Sequence, residues 1–320
     1  MKPLHEDHPQ LFHYTTAEGL AGILKSQTLR ATNYSYLNDT SEVCHFLVNR
    51  LPGTFFEVFR EQGVPDNEST ERAASLADSI TSTLLNPAIG VEPLAEPYIT
   101  SFCTTDDSRV SAHGLLSQWR AYGKAGAFAL VFDTANLEQQ LKEFAQLHPN
   151  SGDYFAGDVV YESDSQAKLA QEFALDLRTI KEYLTCQVLG TDDNDVLGRI
   201  FIAIMRCACR YKHWGFNEER EVRLIVVPNN ADVRAFAARE GIQTTELKPK
   251  HRIRLGTPVP YIDVFESTTS PLRPLPIRRV IVGPCAEHER RNRLRAVESL
   301  LVAHNVRAEV TMSEIPYIEQ

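Results

Sequence analysis

L-F-H-Y-T-T-A-E-G-L-A-G-I-L-K-S-Q-T-L-R-A-T, running from Leu11 to Thr32, decides the fold class. Leu11–Thr15 reads as a short strand. Thr16 can cap the helix that follows, because its hydroxyl accepts from an orphan backbone N–H at a helix start. Within Ala17–Ser26, Leu20, Ile23 and Leu24 recur at helical spacing. Leu29–Thr32 then returns as a second short strand.

Outward from this unit, strands and helices interleave irregularly. Asn38-Asp39 reads as a turn and helix cap more readily than as a ligand, and Asp39 and Glu42 have capping-box spacing. The next helix runs toward Arg50, where Pro52 and Gly53 interrupt it. Residues 54–90 read as helical, and Tyr98–Cys103 as a strand. A short helix, Leu115–Tyr122, leads through Gly123 and Gly126 to a buried strand, Phe128–Phe132. Helical stretches are expected at Leu137–Leu147, Ser165–Val188 and Val196–Lys212, with a strand at Asp158–Tyr161. The last third is rich in strands: Glu221–Val227, Arg252–Leu255, Tyr261–Val264, Arg279–Val282 and Val306–Thr311, with a charged helix over Glu287–His304. Such a pattern predicts one α+β domain over residues 1–320, with helical insertions at roughly 54–95 and 135–213, rather than a regular βαβ array.

Composition narrows the function classes. The chain has 320 residues, 43% hydrophobic and 23% charged, which argues against wholesale disorder. Net charge is -9, a poor footprint for broad nucleic-acid binding. Residues 230–310 carry 14 Lys+Arg against 9 Asp+Glu, whereas the remainder carries 19 against 33. Any nucleic-acid contact is therefore expected only through this basic C-terminal third. No apolar stretch approaches the ~20 residues of a spanning helix, so no membrane partner is expected. The opening M-K-P-L-H-E-D-H-P-Q has no apolar core of the secretory kind. Six cysteines, none in a C-x-x-C pair, read as free thiols in a reducing cytoplasm, and no metal is expected. Phosphate-loop, dinucleotide-fingerprint, nucleophile-elbow and zinc-protease motifs do not occur.

Three polar clusters sit on or beside strands. The first is His13-Tyr14-Thr15-Thr16. The second joins Ser101-Phe102-Cys103 to Gln118-Trp119-Arg120-Ala121-Tyr122, where Trp119 and Tyr122 share a helix face. An aromatic core stripe explains the second as readily as a binding surface does. The third is Glu218-Glu219-Arg220-Glu221-Val222-Arg223. In a strand, Glu219, Glu221 and Arg223 line one face. An exposed edge strand would accommodate them, and a carboxylate pair poised by Arg223 in a cleft is the alternative. The arginine run Arg290–Arg295 is interleaved with Glu287, Glu289 and Glu298 and reads as a solvated helix face.

Taken in order, L-F-H-Y-T-T…G-L-A-G-I-L, L-N-D-T-S-E, S-F-C-T, Q-W-R-A-Y-G-K…F-A-L-V-F and K-H-W-G-F-N-E-E-R-E-V-R-L-I resemble the bacterial domain of unknown function 2971 family. The block Val280–Gly283 fits its C-terminal end. The first block is also similar to the opening of DarT-type ADP-ribosyltransferase toxins and of RNA 2'-phosphotransferases. That resemblance implies a split, mostly antiparallel or mixed sheet and NAD as a substrate without a metal. It implies His13 at the first strand position, Ser101 at the second, and Glu219-x-Glu221 as the third motif. Glu221 would stabilise the ribosyl cation and Glu219 would act as general base. Tyr14, Thr15, Trp119 and Tyr122 would line the nucleotide, with a ring stacked on the nicotinamide or adenine. Arg120 or Arg223 would hold the pyrophosphate. The histidine follows one subclass and the E-x-E another. The expected role is a toxin or phage-defence enzyme modifying a macromolecule. The alternatives are a non-catalytic nucleotide-binding or regulatory module, and a nuclease or phosphotransferase.

Overall fold

A computed structural model describes residues 3–37, 41–85, 96–122, 127–190, 194–266 and 273–316. The Asn38-Asp39 turn lies outside the described residues. The described residues form twelve strands: β1 Gln10–Thr16, β2 Leu29–Asn33, β3 Tyr98–Cys103, β4 Ala127–Asp133, β5 Gly152–Asp158, β6 Val160–Tyr161, β7 Tyr211–Lys212, β8 Glu221–Pro228, β9 Lys250–Arg254, β10 Thr257–Val264, β11 Ile277–Val282 and β12 Glu309–Met312. Ten of them form one mixed sheet, ordered β12-β11-β4-β1-β3-β2-β10-β9, while β8 and β5 extend from β3 on a branch. Every pairing in it is antiparallel except β11 with β12.

The sheet forks at β3. One edge of β3 pairs with β8 along its full length, from Tyr98↔Val226 to Cys103↔Glu221. The other edge is shared. Ile99 and Tyr98 pair with Thr32 and Asn33 of β2, and Cys103 pairs with Phe12 of β1. Ser101 lies between them, with its carbonyl on the divided edge.

Local sequence explains the first unit. Thr16 Oγ1 accepts from Gly19 N at 3.2 Å, and Leu20, Ile23 and Leu24 bury the helix Ala17–Ser26 against the sheet. Gln27 closes that helix in the left-handed region (φ 54). The helices divide the core in two. Those at 41–49, 51–61, 66–85, 174–189 and 194–208 pack on the face carrying Ile99, Ile225 and Val227. The helix Glu287–Ala303 and the first helix pack on the opposite face, against Tyr98, Phe102, Val222, Leu224 and Val226. A smaller cluster joins Phe12, Tyr14, Trp119 and Ala129.

The helix running toward Arg50 is interrupted as expected: it ends at Asn49, and Pro52 lies at the start of a new helix, Leu51–Glu61, where its missing N–H costs nothing. Two expectations need correction. The region 135–213 carries more strand than the one expected at Asp158–Tyr161, because β5, β6 and β7 lie within it. Finally, Glu221–Val227 is not an exposed edge strand. β8 pairs on both sides, with β3 and β5, and is buried from Glu221 to Val227. Among the described residues, no helix is long and apolar enough to cross a membrane.

Candidate functional site

The site is built at the fork. Pairing of Cys103 with Glu221 and of Ser101 with Arg223 puts these four side chains on one face. Glu221 is only 4% exposed. Its carboxylate accepts from Arg223 Nε at 2.8 Å, Arg223 Nη2 at 3.0 Å and Lys212 Nζ at 3.0 Å. Burial alone would raise the Glu221 pKa. The charges of Arg223 and Lys212 outweigh it, helped by the hydrogen bonds from Arg223 and by the nearby Ser101, and bring the carboxyl down to about 2. Glu221 is a fixed anion at neutral pH.

Lys212 also bonds Glu219 at 2.8 Å, and Gln118 Nε2 donates to the same carboxylate at 3.1 Å. The lysine lies over the Phe216 ring, 4.5 Å from its centroid. Its position comes from a short parallel pairing, Tyr161↔Lys212 between β6 and β7. The Tyr161 hydroxyl accepts from Glu221 N at 2.9 Å, which ties that pair to β8. After Lys212 the chain makes a 3-10 turn, Trp214–Glu219, capped by His213 and closed by Arg220 at φ 43. That turn carries Glu219 to within reach of the lysine.

His13 closes the divided edge of β3. Its Nδ1 lies 3.0 Å from the Ser101 carbonyl. A carbonyl has no proton to give, so Nδ1 donates and Nε2 is left as an acceptor. Burial lowers the His13 pKa below its ordinary value. The Ser101 carbonyl opposes this, and the charge of Arg252 on β9 adds to it. The ring is neutral at pH 7 and offers a lone pair rather than a charge.

Cys103 sits beside these groups. Burial raises its thiol pKa well above the ordinary range, and Glu219 and Glu221 push the same way. Burial likewise raises Tyr122, a half-buried phenol close enough to feel Cys103, Glu221 and Glu219. Next to Cys103 opens a cleft of about 190 Å³, lined by Phe12, Thr104, Asp107, Glu218 and Arg220 among others.

The structure therefore brings together Ser101, Glu219, Glu221, Arg223 and Tyr122, while His13, at an alternate position on β1, meets this group through the Ser101 backbone and packs against Phe102. Other expected residues lie elsewhere. Trp119 is 1% exposed, its Nε1 donating to the His113 carbonyl. Gly114, at φ 78, lets the chain pass this ring, since a Cβ there would come within 2.3 Å of it. Tyr14 meets Trp119 edge-on at 4.9 Å, and its hydroxyl accepts from Leu115 N. Trp119 is core, whereas Tyr14, 5% exposed, lines the cleft beside Cys103. Thr15 is buried against Gly19 of the first helix. Arg120 is exposed on the helix Leu116–Tyr122. Arg223 cannot reach a pyrophosphate from its place: it is 2% exposed and holds Glu221 and the Cys209 carbonyl at 2.6 Å. Sequence reasoning missed Lys212, which reads as the end of an apolar helix. The helix instead stops at Ala208.

This is a mixed-sheet α+β chain with a charged cluster at a strand fork. Residues 118–224, about a third of its length, match the model of a family described as protein of unknown function (DUF2971). The family resemblance read in the sequence holds over that stretch, which takes in Trp119, Tyr122, Lys212, Glu219, Glu221 and Arg223 but not His13 or Ser101. No curated protein and no solved structure matches the chain.

Proposed function

We propose that this protein binds an NAD-type nucleotide at the fork and cleaves its nicotinamide–ribose bond, transferring ADP-ribose to a macromolecule in a toxin or phage-defence role. The observation that carries the reading is the meeting of His13 with the Ser101 backbone at the divided edge, where the Ser101 side chain shares a sheet face with Glu221. Bond cleavage develops positive charge on the ribose, and a preorganised carboxylate stabilises such charge without reorganising. Glu221 supplies it. The lone pair on His13 Nε2 suits a ribose hydroxyl, and Glu219, the less buried carboxylate, suits proton removal from the acceptor.

One observation favours a second reading. Arg223 and Lys212 together bring two positive charges against Glu221, which weakens its field at a ribosyl cation. A nucleotide-binding module without turnover would retain the same cleft.

The test is nicotinamide release from NAD, alone and with DNA, RNA or cell lysate added. Release is expected in the wild type and lost in Glu221→Gln and in His13→Ala, compared at equal folded fraction by circular dichroism. NAD binding without release in any condition selects the non-catalytic module. Neither binding nor release refutes both readings.

A further inference from the structure

We propose that Arg252, Arg254 and Arg30 form a seat for the diphosphate of a nucleotide, on the same sheet face as Ser101 and Glu221. The proposal deepens the nucleotide reading above and rests on it only for the nucleoside end of the ligand.

The strand register sets the face. Ile99 pairs with Thr32, Thr32 with Tyr261, and Tyr261 with Lys250, so these residues form one row across β3, β2, β10 and β9. Alternation then puts Ser101, Arg30, Arg252 and Arg254 on that face. Ser101 pairs with Arg223, which brings the Glu221 cluster onto it too. His13 feels the charge of Arg252, and Tyr122 feels both Arg252 and Glu221. The arginines and the carboxylates are thus two ends of one tract, with Tyr122 beside both.

Several other cations of the C-terminal third are paired with carboxylates. Arg278 pairs with Asp133, Arg290 with Glu287 and Arg293 with Glu289. Lys250, next in line on β9, holds Asp263 at 3.0 Å and Glu266 at 2.6 Å. Among the described residues, Arg252 and Arg254 have no carboxylate within ion-pair distance. Arg252 Nη2 makes a long bond to Thr32 Oγ1 at 3.3 Å, and its buried Nε has no hydrogen-bond partner. Arg254 Nη2 donates to the Tyr36 carbonyl. Arg30 lies over the Tyr261 ring at 4.9 Å and faces Asp263 across the ladder, but that carboxylate is held by Lys250 and Thr28.

Burial lowers the Arg252 pKa, and the charges of Arg30 and Arg254 lower it further. The half-buried guanidiniums of Arg252 and Arg254 and the exposed one of Arg30 repel one another, and an anion among them relieves the repulsion. A guanidinium presents parallel donors that match adjacent phosphate oxygens. Two forks on alternate residues of β9, Arg252 and Arg254, suit a diphosphate better than a single carboxylate.

The test is calorimetric titration of the full chain with ADP, inorganic diphosphate and adenosine. ADP and diphosphate are expected to bind and adenosine to fail. ADP affinity should fall by at least about tenfold in Arg252→Gln and in Arg254→Gln, each losing charge-assisted hydrogen bonds. Arg290→Gln should match the wild type. Arg254, on a surface hairpin, serves if the Arg252 variant does not fold. Equal ADP affinity in the wild type and a folded Arg252→Gln/Arg254→Gln variant overturns the proposal. So does tighter, equally arginine-dependent binding of a short single-stranded oligonucleotide, which would make the tract a nucleic-acid groove. Arginine-dependent ADP binding without nicotinamide release keeps the seat and removes the enzyme. Release with arginine-independent ADP binding does the reverse.

Discussion

Neutralising Glu221 should destabilise the protein in a pH-dependent way, and Glu221→Gln is the perturbation that shows it. The carboxyl titrates near 2 in the folded chain against an ordinary 4.5. A depressed carboxylate contributes stability that is present above its unfolded pKa and lost as pH falls through its folded one. At 1.36 kcal/mol per unit, the 2.5-unit difference is worth about 3 kcal/mol at pH 7. Removing one partner of a buried ion pair costs about 3–5 kcal/mol by an independent route, because the cations stay behind. Here Lys212 keeps Glu219 and Arg223 keeps the Cys209 carbonyl. Urea unfolding of wild type and Glu221→Gln, followed by circular dichroism between pH 7 and pH 3, measures the gap. It should be about 3 kcal/mol at pH 7 and shrink to roughly half that by pH 3. A gap under about 1 kcal/mol at pH 7, or one that does not narrow in acid, would refute the reasoning.

Two further predictions concern other buried groups. Asp176 is shared between Arg206 and Arg210 under the helical layer, so Asp176→Ala should cost about 3–5 kcal/mol in the same unfolding assay by stranding both guanidiniums. The Cys103 thiol, raised by burial and by Glu219 and Glu221, should react with iodoacetamide at pH 7.5 more slowly than a free cysteine, and faster in Glu221→Gln; mass spectrometry of the labelled peptide reads both.

Much of the frame was legible. The first strand, its Thr16-capped helix and the second strand follow from local signals that tertiary packing does not contradict. Tyr98–Cys103 was legible because its β-branched and aromatic residues alternate between two buried faces. β5 was not, because G-D-Y-F-A-G-D is bounded by glycines and only half-buried, and it is strand only through its pairing with β8. The charges of Glu221 and Arg223 suggested an edge, yet each satisfies the other, which lets a central strand carry both. Lys212 was hidden because its partners arrive from the turn after it and from a strand pairing the local pattern does not encode. The fork itself arises from strands far apart in sequence, so His13 and Ser101 could be proposed together only by resemblance.

β8 has an apolar core against each face: Ile225 and Val227 under the helical layer, and Val222, Leu224 and Val226 on the other side. Its amides should be among the last to exchange with deuterated solvent, opening only when the whole domain does. By contrast, Thr105–Arg109 and His213–Glu218 lie at the surface beside it. Glu221 is therefore anchored at the rigid centre of the sheet, while Thr105, Asp107 and Glu218 of those surface segments line the cleft beside Cys103.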